Sequence, residues 1–185
     1  SAERLEKPRE SGWTMIIDKG MTLLATEGFL RLASDYIDLI KFGFGTGALY
    51  EESIFQEKVR LIRSYSINPY CGGTLMEIAL WQKKIPLFFQ YLHKYGLEFV
   101  EVSDGTLPVS PATRSSLIKA AIADGFTVIT EVGKKDPHKQ MSTDQMKNLI
   151  EKDLEDGARK VIVEGRESGK NVGIYDQNGK IITAR

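Results

Sequence analysis

Six short runs of apolar, largely β-branched residues recur along the chain, with starts roughly 22 to 34 residues apart. They read TMIID at 14–18, YIDLIKF at 36–42, SINPYC at 66–71, EFVEVS at 98–103, FTVITE at 126–131 and KVIVE at 160–164. Each ends in, or is followed directly by, a charged or glycine residue, and most are followed by sequence of helical period. A strand and then a helix, six times over, predicts parallel βα units.

The segments between the runs carry helix boundaries. Ser110 is placed to cap a helix that starts at Pro111 and stops before Gly125. Ser142 with Gln145 forms a capping-box pattern, and Gly157 ends that helix. Residues 75–95 have helical composition, but Pro86 cannot donate within a helix interior, so two pieces are expected to meet near Lys84, with Gly96 closing the second. Trp81, Leu87, Phe88 and Leu92, at helical spacing, read as core packing. Asn178-Gly179 predicts a type I′ hairpin outside the main sheet.

Repeated βα units build either a doubly wound sheet or a (β/α)8 barrel, and only the barrel gathers every strand end around one mouth. Such barrels need at least about 200 residues, so six units in 185 leave about two units unaccounted for. The expectation is a single domain over residues 1–185, a (β/α)8 TIM barrel with its C-terminal units missing. A six-stranded sheet ending there would expose two edges and favour poor solubility or domain swapping.

Charge narrows the partners. Twenty-five basic residues balance 25 acidic ones, which gives no electrostatic footprint for nucleic acid or an anionic membrane. The apolar runs fall far short of the roughly 20 residues that span a bilayer. The N-terminal SAERLEKPRE has no apolar core, so no secretory signal is expected. A single cysteine, Cys71, permits no internal disulfide, and a cytoplasmic location is the default. It reads as a small buried apolar group. His93 and His138 are too few for a zinc site of nitrogen and sulfur ligands, and His93 reads as a surface residue.

The strand ends hold the chemistry. They offer Asp18 and Lys19; Lys41; Gly72, Gly73, Thr74 and Glu77; Glu101, Ser103 and Asp104; Glu131, Lys134 and Lys135; and Glu164, Arg166 and Glu167. A buried charge without a partner is costly, so charges inside apolar strands pair with each other, a metal or a ligand. The bland alternative is that some mark where a strand meets water. Glu101, Glu131 and Glu164 suit a hard oxygen-ligand site of the magnesium kind, or an ion-pair ring with Lys41 and Arg166. Gly43, Gly45, Gly72 and Gly73 suit close backbone approach of an anion, although GFGT lacks the lysine and spacing of a P-loop. Arg166 suits a planar or tetrahedral oxyanion. Lys134 and Lys135 offer a catalytic acid or two solvated loop charges.

The strings IIDKG, DYIDLIKFGFGT, GGTLME, VEVSDGT, TEVGKK and VIVEGRESG, in that order, closely resemble the phosphosulfolactate synthase family of coenzyme M biosynthesis, over about residues 8–180. The resemblance implies a (β/α)8 barrel and a C–S bond-forming lyase that adds sulfite to phosphoenolpyruvate with magnesium, giving (2R)-phospho-3-sulfolactate. On this basis Glu131, Glu164, Asp18 and Glu101 are the metal candidates. Lys135 matches the family's proposed catalytic lysine by position, with Lys134 the near alternative and Lys41 stabilising developing charge. Lys19, Arg166, Gly73, Thr74 and Ser103 are the substrate-binding candidates. Two departures stand out: GFGT replaces the family's GWGT, and relatives continue with two more strands and a helix-rich C-terminus. The partners implied are small molecules, phosphoenolpyruvate and sulfite; a homo-oligomer is left open. Two other readings compete. One is a Schiff-base aldolase using Lys41 or Lys135. The other is a non-catalytic stress-associated protein on the same barrel, which would have no need to keep the charged strand ends.

Overall fold

The computed structural model describes residues 4–134, 136, 141–165, 169–170 and 174–182. In chain order the elements are β1 (Met15–Asp18), α1 (Leu23–Ala33), β2 (Leu39–Phe42), α2 (Glu52–Ser64), β3 (Asn68–Cys71), α3 (Gly73–Trp81), α4 (Ile85–Tyr95), β4 (Phe99–Val102), α5 (Pro111–Ala123), β5 (Thr127–Val132), α6 (Thr143–Glu155) and β6 (Lys160–Val163). All strand pairs are parallel, and the order across the sheet is β1-β2-β3-β4-β5-β6. That order decides between the two architectures. A doubly wound sheet reverses its order at a switch point and carries helices on both faces. An unbroken order with right-handed crossovers puts every helix on one face, which is the wall of a (β/α) barrel. Among the described residues this wall comprises six parallel strands, the first five each followed by a helix, and does not close.

The two faces of the wall differ. On the helix side, Ile40, Phe42, Cys71, Val100, Val102 and Val128 pack against helix residues that include Phe55, Ile62, Leu92 and Ile118. On the inner side, Leu39, Tyr70, Phe99 and Ile129 form a separate cluster with Met15, Ile162 and Trp13. Strand side chains alternate between faces, so residues two positions further along point the same way. The rung above that apolar cluster therefore holds Ile17, Lys41, Gly72, Glu101, Glu131 and Glu164.

Local signals place the helices. The Ser110 side chain accepts from the Thr113 N–H ahead of Pro111, and Ser142 with Gln145 forms both bonds of a capping box. α3 and α4 meet at Lys84, as the proline requires, and Gly96 ends α4 at φ 67°. Three expectations are corrected. β2 starts at Leu39, because residues 34–36 wind into a 3-10 turn. Trp81 and Leu87 are 73% and 58% exposed while Phe88 and Leu92 are buried; the break at Lys84 puts the four on two helices, so their spacing does not define one face. The hairpin bridges Tyr175 to Ile181 outside the main sheet. Its loop is longer than two residues, with Asp176 N–H donating to the Lys180 carbonyl, and Gly179 has a positive φ while Asn178 does not. A type I′ turn needs both. Among the described residues no helix is long and apolar enough to cross a membrane.

Candidate active site

A cavity of ≈ 520 Å³ opens at the C-terminal ends of the strands, and its lining includes Lys41, Gly72, Thr74, Glu101, Glu131 and Glu164. Lys41 Nζ lies 2.8 Å from Glu101 Oε1 and 2.8 Å from Glu131 Oε2. Glu101 Oε1 also accepts the Gly73 N–H at 2.7 Å, and its Oε2 accepts the Tyr70 hydroxyl at 3.0 Å. Ions taken from water are tolerated only with this density of partners. Burial alone would lower the Lys41 pKa, but Glu101 and Glu131 more than offset it, so the group is raised and stays an ammonium. Burial, reinforced by Glu131 and opposed by Lys41, raises the Glu101 carboxyl. Burial and then the neighbouring Glu101 raise Tyr70, which remains a phenol donating to that carboxylate.

Two glycines fit against this cluster. A Cβ on Gly72 would lie 2.8 Å from Lys41 Cε, and one on Gly73 would lie 2.1 Å from Ser103 Oγ and 3.0 Å from Glu101 Oε1. The crowding thus comes from the protein's own side chains. The first N–H of α3 is spent on the Glu101 carboxylate, a favourable place for negative charge at a helix N-terminus.

The other candidates fall into separate groups. Thr74 and Glu164 line the cavity with the cluster. Ser103 is buried and donates to Glu77 Oε1, while Glu77 Oε2 accepts the N–H groups of Thr106 and Leu107 at 3.0 and 2.6 Å, tying down the loop after β4. Lys134 donates to the Asp104 carboxylate and, at 2.8 Å, to its carbonyl. Lys19 stands at the rim, 5.8 Å over the Phe44 ring. Asp18 is corrected: it faces the helix layer, fully buried, 2.6 Å from the Lys58 ammonium, and does not join the carboxylates of the mouth. Lys135 and Arg166 lie outside the described residues.

Sequence reasoning missed Tyr70, Lys58, Arg114 and Asp153. Arg114 is buried, holds Asp153 through two nitrogens, donates to the Glu131 carbonyl at 3.1 Å, and lies 3.7 Å from Asp104. A signal was present. Lys58 stands in the buried set Phe55, Lys58, Val59, Ile62, and Arg114 in Arg114, Leu117, Ile118, Ala121. Both are charges occupying one position of an i, i+3, i+4, i+7 apolar stripe.

The mouth suits a hard divalent cation by its donors. Among the described residues that line the cavity, Lys41 stands with the carboxylates of Glu101, Glu131 and Glu164, so oxygen donors predominate. Both Glu101 oxygens are engaged, whereas Glu131 uses Oε2 for Lys41. Among the described residues no three acidic, histidine or cysteine side chains converge as a ready cage. Magnesium ordinarily takes one or two carboxylates and completes its shell with substrate oxygens and water, so the Glu131 and Glu164 pair fits it.

Comparison with known proteins adds the family. The profile of the ComA, (2R)-phospho-3-sulfolactate synthase, family matches residues 2–185. The chain is 43% identical over 180 residues to the phosphosulfolactate synthase of Methanothermobacter thermautotrophicus, covering 96% of this chain and 70% of that protein. Identity is 42% over 181 residues to the enzyme of the same name from Methanocaldococcus jannaschii, covering 97% and 72%. It is 39% over 180 residues for that of Bacillus subtilis, covering 96% and 70%. Among solved structures, the carboxyl transferase domain of Rhizobium etli pyruvate carboxylase with 3-bromopyruvate superposes with a TM-score of 0.56 at 13% identity, over 81% of this chain and 26% of that one. The 2,3-dimethylmalate lyase of the PEP mutase/isocitrate lyase superfamily gives 0.54 at 15%, over 84% and 57%. At those identities the structures share a fold with this wall and nothing finer. The profile match and the three relatives of one name together make this chain a member of the (2R)-phospho-3-sulfolactate synthase family.

Proposed function

We propose that this protein is a phosphosulfolactate synthase, joining sulfite to phosphoenolpyruvate to give (2R)-phospho-3-sulfolactate. The observation that carries the reading is the charged cluster at the mouth, Lys41 held between Glu101 and Glu131, in a chain of this family. The sulfite sulfur bonds to the methylene carbon through its lone pair. The π pair of the double bond moves toward the second carbon and the carboxylate, and a proton delivered to that carbon completes the product. The phosphate ester stays intact.

Negative charge grows on the substrate carboxylate, so positive charge fixed beforehand is what lowers the barrier. Magnesium, held by Glu131 and Glu164, supplies that charge as a Lewis acid when bound. Lys41 keeps its proton and fixes the direction of Glu131 from Oε2. Lys19 at the rim and Arg166 meet the anionic groups of the substrates. Lys135 gives the proton to the second carbon, with Lys134 as its alternative. The cytoplasm is the proposed location, in keeping with a single, buried thiol. An aldolase working through Lys41 is the weaker reading, because a Schiff base needs a neutral amine and Lys41 is held as an ammonium between Glu101 and Glu131.

Phosphorus NMR of the purified protein with phosphoenolpyruvate, sulfite and magnesium tests the reaction. A new phosphate-ester resonance that requires sulfite and disappears with a chelator is expected; no new resonance would overturn the proposal. Borohydride with a keto acid is expected to leave Lys41 and Lys135 unmodified, and a covalent adduct on either would restore the aldolase.

A further inference from the structure

Lys58 lies in the middle of α2 with none of its surface exposed, and no step above uses it. A buried ammonium is costly unless its protons are met. Its Nζ lies 2.6 Å from Asp18 Oδ2 and donates to the Tyr50 hydroxyl at 2.8 Å and to the Met21 carbonyl. The rings of Tyr50 and Phe42 lie 4.6 and 5.7 Å from it. Asp18 turns its other oxygen, Oδ1, to the N–H groups of Gly20 at 2.7 Å and Met21 at 2.8 Å. Through one ion pair, α2 thus grips both the carbonyl and the N–H groups of the turn between β1 and α1. The residue that this turn presents is Lys19, whose ammonium lies over Phe44, and Phe44 lines the cavity.

We propose that Lys58 is a positioning residue for the mouth: through Asp18 it holds the turn after β1 so that Lys19 stands at the rim as a fixed cation for the anionic end of the substrate. This deepens the synthase reading and rests on it. The geometry explains why a lysine and an aspartate occupy fully buried positions in a layer that hydrophobic side chains could fill. A rim lysine on a loose turn would have to be ordered at each binding event, whereas a turn pinned from below has that entropy already removed.

Lys58→Met alone strands a buried carboxylate and is expected to unfold. The test variant is therefore Lys58→Met with Asp18→Asn, which removes both charges and keeps an amide oxygen for the two N–H groups. Affinity for phosphoenolpyruvate is read by calorimetry, independently of turnover, and the Gly20 and Met21 amides by hydrogen exchange. The paired variant is expected to bind about tenfold more weakly and to exchange those amides about tenfold faster. Lys19→Met is expected to weaken binding by a similar factor with the two amides unchanged. Combining all three substitutions should add less than about twofold to the loss, since both routes remove one contact. A paired variant that melts earlier but binds as wild type would make Lys58 merely structural, and losses that multiply would also overturn the proposal. Wild type that binds phosphoenolpyruvate without turning it over with sulfite sinks the synthase reading and leaves the positioning to be judged on the same affinities. Wild type that binds none overturns both.

Discussion

Two successive rungs on the inner face of the wall have opposite chemistry. The lower holds Leu39, Tyr70, Phe99 and Ile129, packed with Met15 and Ile162. The upper, two residues further along the same strands, holds Lys41, Glu101, Glu131 and Glu164. Backbone, strand order and pleat are shared, so only the side chains differ. The lower rung is held by removal of apolar surface from water. The upper is held by pairing, with one ammonium between two carboxylates and a phenol from below touching the second oxygen of Glu101. Tyr70 belongs to both: its ring joins the apolar cluster and its hydroxyl joins the charges. An apolar rung and a charged rung thus lie one pleat apart, held by different forces.

Lys41→Met should break the contrast most severely. It leaves two buried carboxylates facing each other, which costs about 3–5 kcal/mol, and turnover should vanish. Adding Glu101→Gln should return much of the stability, read by denaturant unfolding, without returning turnover. Phe99→Ala, in the lower rung, should also cost about 3–5 kcal/mol, but with kcat close to wild type in whatever remains folded. A large fall in kcat at unchanged substrate affinity would show that the rungs are not separable. Glu131→Gln reverses that pattern: magnesium-dependent turnover should fall about a hundredfold or more, with the melting temperature nearly unchanged. Full activity in both Glu131→Gln and Glu164→Gln would sink their assignment to magnesium. The smallest effect is on the helix side of the wall. Burial pushes the Cys71 thiol up to about 12, so iodoacetamide at about pH 8 should label it only after unfolding. Rapid labelling of the native protein would mean that the helix layer opens as readily as the mouth.

Much of the fold is legible in the sequence, because its signals are local. Ser110 before Pro111, and Ser142 three residues before Gln145, cap helices by bonds within one turn, and no distant contact has to cooperate. The glutamates of the mouth were legible for a different reason: a charge in a β-branched run is costly wherever the strand goes. Asp18 was not. In MIID both faces of the strand are apolar, since a parallel strand is covered on both sides, and nothing in the run says which parity faces inward. Pairing β1 with β2 aligned Asp18 with Phe42 and Ile17 with Lys41, which sent the aspartate to the helices. Trp81 failed because it lies on α3 and a spacing defines a face only within one unbroken helix; Leu87 shares α4 with Phe88 and Leu92 but sits one residue, about 100° of turn, from Phe88.

Signals local to the chain set the alternation of strands and helices, most helix boundaries, and a series of strand-end charges with the family pattern that joins them. Tertiary structure alone decided which charges meet. Lys41 and Glu131 are 90 residues apart and form an ion pair at 2.8 Å, while Asp18, as close to a strand end as either, is bound to Lys58 on the other face. The physical reason is that propensity and capping act over a few residues of chain. An ion pair acts over a few ångströms of space, and strand order and register alone set which residues share them.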